Sequence, residues 1–350
     1  MANIRRVVAE RLGTEMQRKG LNSATIAHDA AIPQQILSDY LAGQREINFS
    51  ELRPICDALS IRLMRLLEPQ YERPLLQYRS TGSRDRSRVA KLENVFLTVA
   101  HLLPRSKLIP SPPIDDSQRD FSWLLTMVNR AVEELRPKYP AVEALYQAAG
   151  LHVLPISAGD QSFDAFLMRV KDRAVVCVNL SKPTTRIHFS LLHEIAHYLF
   201  HQKQEVPIDF LPTGLYDDTI SPEVVPEFVA NKFAQFYLVP FADAERMANG
   251  RDQQGDVAEY LNSHRASDDV LVNAIYDICR IRPGKKPRYQ DLKDAVSTAA
   301  GSEWGGDQSL RQFLAEQGAA LRKLVADNRD EFSDAVWETV ASGWEINDAC

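Results

Sequence analysis

The chain has 350 residues, 45% of them hydrophobic, which is ample for two or three ordinary globular cores. Its 41 Lys and Arg against 47 Asp and Glu leave a formal charge of −6, and no apolar run approaches the roughly 18 residues needed to cross a bilayer, which excludes a membrane-spanning helix. The start Met1-Ala2-Asn3-Ile4-Arg5-Arg6 leads into no signal-peptide core, and Cys56, Cys177, Cys279 and Cys350 show no CxxC spacing, so the expectation is a cytoplasmic protein with free thiols.

Residues 4–68 read as short helices: Ile4 to Arg18, Ser23 to Ala30, Pro33 to Leu41 and, after a break at Gly43, Ser50 to Leu59. The stretches Gly20-Leu21-Asn22-Ser23, Ile32-Pro33-Gln34-Gln35-Ile36-Leu37-Ser38-Asp39-Tyr40-Leu41 and Gly43-Gln44-Arg45 resemble a Cro/repressor-type helix-turn-helix. That resemblance implies that Gln34, Gln35 and Ser38 meet base edges in the major groove and that Arg45 reaches phosphate. Residues 1–107 hold 17 Lys and Arg against 11 Asp and Glu, which suits an anionic partner. Residues 1–70 are nearly neutral, however, at 9 against 8, and Ala31 stands where the family commonly has a turn glycine. Docking of another protein is therefore the alternative use of this module.

The polar, basic run Arg79 to Arg88 reads as a connector, Val89 to Leu103 as a helix ending at Pro104, and Leu108 to Asp116, with three prolines, as a second joint. Phe121 to Leu135 and Ala141 to Ala149 follow as helices. Ala165 to Val170 and Ala174 to Val178 flank Lys171-Asp172-Arg173 as a hairpin, and an edge strand of such a hairpin can pair with extended substrate.

The most informative stretch is His193-Glu194-Ile195-Ala196-His197. Leu191, Leu192, Ile195, Ala196, Leu199 and Phe200 recur at helical spacing, and on that helix the two imidazoles share one face beside a carboxylate, the pattern of a zinc site with its own general base. Catalytic zinc takes a third protein ligand. One is available in the helix that Pro226 opens and Pro240 follows: Glu227 and Asn231 lie at i, i+4, the first suited to the metal and the second to the free N–H of a ligating histidine. An ordinary amphipathic helix with Glu227 in water fits the same spacing.

From about Leu151 to Cys279 the chain resembles the ImmA/IrrE metallo-endopeptidases. The likeness rests on Val175-Val176-Cys177-Val178-Asn179, on Ile187 through His197, and on Glu227 through Ala234 ahead of Leu238-Val239-Pro240. It implies that His193, His197 and Glu227 hold one zinc ion per chain, that Glu194 is the base, and that the fold is gluzincin-like with a small sheet beside the metal helix. Members of this family typically cleave a repressor or antitoxin and so switch genes on after stress or during mobile-element induction.

Gln202 to Ser221 joins the two ligand helices at the cleft rim, and Tyr216, Tyr198, Tyr237 and His201 are equal candidates to stabilise an oxyanion. A capped helix from Ala266-Ser267-Asp268 runs to about Cys279, and Arg282 to Pro287 reads as a boundary. Helices at Gln290 to Ala299, Asp307 to Asp327 and Glu331 to Ser342 then form a tail that Trp337 and Trp344 could anchor.

The expected whole is a mainly α (α+β) protein: a helix-turn-helix domain at 1–70, a linker with one helix at 71–118, a zinc metallopeptidase at 119–282 and a helical region at 283–350. Its expected partners are a repressor or antitoxin substrate and DNA, with a second copy of the chain as a further candidate. The competing reading is a transcription regulator or antitoxin that uses a peptidase-like domain as a non-catalytic platform.

Overall fold

The computed structural model describes residues 4–19, 21–46, 48–59, 75–79, 86–115, 117–159, 163–201, 216–249, 257, 260, 266–282, 287–299 and 308–345. Most of the connector expected at 79–88, the loop from 202 to 215, the boundary at 283–286 and Cys350 lie outside the described residues. Two compact units divide the chain, Met1–Tyr71 and Glu72–Cys350.

The first unit is built from α1 (Ile4–Lys19), α2 (Ser23–Asp29), α3 (Gln34–Leu41) and α4 (Phe49–Ala58). Asn22 and Asn48 start α2 and α4 by accepting from the backbone N–H of Thr25 and Ser50, donors that the first helical turn leaves without partners. Val8, Leu12, Ile26, Leu37, Tyr40, Leu52 and Ile55 close a core of their own. The turn between α2 and α3 puts Ala31 at φ 50°, a left-handed conformation that costs an L-residue about 1–2 kcal/mol and that glycine would adopt freely.

The second unit centres on a sheet of β1 (Leu75–Arg79), β2 (His152–Ile156), β3 (Ala165–Val170) and β4 (Arg173–Asn179), in the order β1-β3-β4-β2. Strand β3 runs antiparallel to both β1 and β4, and β2 is parallel to β4. Between β1 and β2 come α5 (Arg86–Val99), α6 (Phe121–Leu135) and α7 (Val142–Ala149), the last closed by Gly150 at φ 58°. After the sheet come α8 (Thr184–Phe200), α9 (Val225–Leu238), α10 (Phe241–Asn249), α11 (Asp268–Ile281), α12 (Tyr289–Ala299), α13 (Gln308–Asp327) and α14 (Asp334–Trp344). The protein is thus mainly helical with one small sheet, as its sequence suggests.

Side-chain alternation assigns the two faces of the sheet to different cores. Ala165, Leu167, Ala174, Val176 and Val178 face the helices α6 to α12, while Phe166, Met168, Val175 and Cys177 face α5, α13 and α14. This corrects the expected division at two places. The span 71–118 is no loose linker, because β1 belongs to the sheet, and Val89, Leu92, Val95, Phe96 and Val99 of α5 cover its second face. The proline-rich joint after it is pinned at both ends, with Lys107 N–H just ahead of it donating to the Ala149 carbonyl at 2.7 Å and Trp123 Nε1 donating to the Asp115 carbonyl at 3.2 Å.

Residues 283–350 are likewise no appendage. Leu310, Phe313 and Leu314 of α13 enter the first core and Leu321 and Val325 the second, so this helix wraps the β2 edge, while Trp344 is wholly buried in the second core. The approach is close enough that a Cβ on Gly318 would lie 2.7 Å from the Pro155 ring, and one on Gly343 would lie 2.5 Å from Val95. The physical reason is that a sheet with two apolar faces needs a helical layer on each.

Candidate metal centre

Helices α8 and α9 lie against one another, and both are buried nearly all round, the mark of central rather than surface helices. Tyr146 on α7 fixes the height of α8 by donating from its hydroxyl to the Leu191 carbonyl at 2.8 Å. Where the two helices meet, the Nε2 atoms of His193 and His197 are 3.0 Å apart, and the Glu227 carboxylate lies 3.1 Å from His197 Nε2 and 3.5 Å from His193 Nε2. All three residues are buried.

Around these atoms the supports are specific. Asn231, one turn beyond Glu227, has its Oδ1 3.1 Å from His193 Nδ1. An amide oxygen only accepts, so the ring proton sits on Nδ1, and Nε2 turns its lone pair toward Glu227. His197 Nδ1 meets the Nδ1 of buried His201 at 3.0 Å. Burial alone would push the Glu227 carboxyl up, yet when the two imidazoles are protonated the His193 charge and hydrogen bonds from both rings hold it well below the usual carboxylate range, and a cation between deprotonated rings would hold it ionised in the same way. Burial, and then the neighbouring His197, hold His201 well below the ordinary histidine value.

Two imidazole lone pairs and a carboxylate converging in a buried place form a donor set that calls for a cation. A tetrahedral ion with bonds of about 2.0–2.1 Å separates its ligand atoms by roughly 3.3 Å, and the spacings of 3.0 Å between the Nε2 atoms, 3.1 Å from His197 to Glu227 Oε1 and 3.5 Å from His193 to Glu227 Oε2 lie about that value. The group therefore fits a metal, and among the described residues it is the His/Cys/Asp/Glu cluster so arranged. Glu194, next in sequence to His193, is buried beside it. Residues 147–267 match the family model of the M78 peptidases, described as the IrrE N-terminal-like domain. The match spans the metal cluster, Glu194 and Asn231, and it supports the ImmA/IrrE resemblance over that stretch. No curated protein and no solved structure matches the chain.

The four oxyanion candidates separate by position. Tyr237 donates to the Tyr139 carbonyl, and the Tyr198 hydroxyl is paired with Ser106, both away from the metal cluster. His201 backs His197 instead of facing the cleft. The Tyr216 hydroxyl accepts from Asn231 Nδ2 at 2.8 Å, which links it to His193 through one amide. Arg280 holds this residue, donating to its carbonyl and, at 2.6 Å, to Asp218.

Sequence reasoning missed this Arg280 clamp and the buried pair beneath it, Lys232 and Asp277 at 2.6 Å, with Gln235 donating to the same carboxylate. Lys232 Nζ also lies 5.3 Å from the centre of the Tyr216 ring. Only the His193, His197, His201 spacing advertised its part in the sequence.

The residues read as contacts for DNA stand in the first unit and form hydrogen bonds within it. Gln35 donates to Asp39 at 2.8 Å, and Ser38 to the Gln34 carbonyl at 3.1 Å. Arg45 forks onto Glu51 with bonds of 2.6 and 2.5 Å while Tyr40 donates to the same carboxylate. The Arg45 guanidinium, expected to reach phosphate, is occupied within the unit.

Proposed function

We propose that the protein is a zinc-dependent endopeptidase that cuts a partner repressor or antitoxin and so controls transcription. The observation that carries this reading is the convergence of His193 Nε2, His197 Nε2 and the Glu227 carboxylate at 3.0–3.5 Å on two buried helices. A zinc ion bound there would act as a Lewis acid toward a peptide carbonyl and make a bound water more acidic. Asn231 orients His193 and His201 orients His197, so neither imidazole can turn away. Glu194, buried beside the cluster, takes a proton from the attacking water and returns it to the leaving amine nitrogen, its burial making the carboxylate the stronger base for the first transfer. Tyr216, tied to Asn231, is the group best situated to donate to the oxyanion once substrate draws its side chain inward.

The first unit has two uses, DNA binding or partner docking. The Arg45–Glu51 fork and the near-neutral charge favour docking, since a guanidinium already paired releases few phosphate counterions. Gln34 and Gln35 are exposed on α3 and are the residues to change. Gln34→Ala with Gln35→Ala should leave partner cleavage intact if they read bases, and should slow it if the face docks protein. Salt-sensitive DNA affinity of the unaltered chain, weakened by that double change, would favour the groove reading.

The decisive experiment follows fragments of the candidate partner by mass spectrometry with the unaltered protein and Glu194→Gln. The amide keeps the shape but cannot accept the proton, so cleavage should fall at least about 100-fold while the metal stays. Equal yields from both would remove Glu194 from the role of base, and no fragments with metal verified would favour the non-catalytic platform.

A further inference from the structure

Beside the metal cluster, α8, α9 and the start of α11 enclose a cavity of about 300 Å³. It adjoins the reacting groups directly. Asn231, which holds His193, forms part of its wall, and so does Tyr216, whose hydroxyl meets that same amide. Phe189, one turn before His193 on α8, lines it with a ring centred 6.3 Å from that of His193. Val270, in the first turn of α11, supplies a second apolar surface. The volume stands at the lower end of ligand pockets, so it suits one large side chain and not a run of chain.

The charges around this cavity come in pairs. Lys232, the buried cation of the wall, donates to Asp277 Oδ2 at 2.6 Å and to Gln235 Oε1 at 3.2 Å, and Gln235 donates to the same Asp277 oxygen at 2.7 Å. Arg186 and Asp269, of opposite sign and exposed to water, pair with Asp164 at 2.8 Å and Lys293 at 2.9 Å. A charged side chain entering here would shed its water and, among the described residues of the wall, meet only charges already paired. An uncharged one would exchange water for Phe189 and Val270. We propose that the cavity receives the side chain of the substrate residue adjoining the cut bond, that it selects a bulky, uncharged one, and that the Lys232–Asp277 pair sets this selection. The proposal rests on the endopeptidase reading and adds to it a residue preference.

Small hydroxamates read the cavity by calorimetry on the full-length, metal-loaded protein. The N-acetyl hydroxamate of glycine carries a metal-binding head and no side chain, and those of leucine, phenylalanine, glutamine, glutamate and lysine add one side chain each. Every affinity is taken as a ratio to that of the glycine probe on the same protein, so a change in metal content cancels. The leucine and phenylalanine probes should bind at least about tenfold more tightly than the glycine probe, the effect of burying one large apolar side chain. The glutamate and lysine probes should gain nothing over it.

Asp277→Asn keeps the shape of the acceptor but leaves Lys232 without its counter-charge. The glutamate probe should then gain at least about tenfold over glutamine, its uncharged isostere, and the lysine probe should weaken. Val270→Phe, which fills the cavity, should erase the gain of leucine and phenylalanine, and it decides the matter should Asp277→Asn fail to fold. Affinities independent of the side chain, or glutamate or lysine bound as tightly as leucine by the unaltered protein, overturn the proposal and leave the endopeptidase reading standing. An unchanged glutamate-to-glutamine ratio in folded Asp277→Asn overturns the role of the Lys232–Asp277 pair. Failure of every probe on protein of verified metal content overturns the endopeptidase reading as well.

Discussion

Two polar clusters in this chain use similar residue types to opposite ends. Around Arg45 opposite charges meet: Glu51 takes the guanidinium with both oxygens, Asp39 lies 3.8 Å from it, and Tyr40 donates to the Glu51 carboxylate. Around His193 and His197 they do not, because the histidine lone pairs and Glu227 all present electron density to one buried point. A cluster that satisfies itself contributes to folding, whereas one that leaves like-signed donors facing each other is organised for something absent from the polypeptide.

The sharpest way to break this contrast is to remove one converging donor. His193→Ala, His197→Ala or Glu227→Ala should each abolish stoichiometric metal, about one ion per chain in the unaltered protein, because a catalytic site needs three protein ligands. Elemental analysis after desalting reads the result, and full occupancy in all three variants would end the metal reading. A smaller effect is expected from the support behind the ligand. Asn231→Ala should weaken metal binding by about 10- to 100-fold in a chelator competition while leaving the helix intact. An unchanged affinity would show that His193 needs no orienting partner.

On the other side of the comparison, the self-satisfied cluster should respond to acid. Arg45 and then Tyr40 hydrogen-bond the Glu51 carboxylate and hold its folded value below the ordinary 4.5, against a smaller opposing push from burial. A depressed carboxyl lends stability that is fully present above its unfolded value and is lost as pH falls through the folded one. The thermal stability of the first unit should therefore fall below about pH 4.5, and Glu51→Gln should flatten that dependence. The smallest effect is local. Ala31→Gly should stabilise the first unit by about 1 kcal/mol by relieving the positive φ at the turn.

How much of this was legible in the sequence depended on range. The metal helix, the helix carrying Glu227 and Asn231, and the β3–β4 hairpin announce themselves because their signals lie within a few residues, as helical spacing or as a turn between alternating runs. Strand β1 does not, for Leu75-Leu76-Gln77-Tyr78-Arg79 becomes a strand only by pairing with residues some ninety positions on. Strand β2 hid behind Pro155, which is tolerated because β2 is an edge strand. The helices α5, α13 and α14 were visible as helices, but their task of covering the second sheet face was not, since apolar periodicity tells that a face is buried and not against what. His201 stood one turn past His197 in plain view, yet its burial behind the ligand ring followed only from three dimensions.

Trp344 and Gly343, packed against α5 and the sheet, bear on when this protein can fold during synthesis. The first unit has its whole core in hand once Leu59 has left the ribosome. The second face of the sheet, by contrast, is covered only by α5 until α13 and α14 emerge, although every residue of the metal cluster was translated about a hundred codons earlier. A nascent chain halted inside that interval would carry its complete metal-binding set on a half-covered sheet, so assembly of the centre is timed by helices that never touch it.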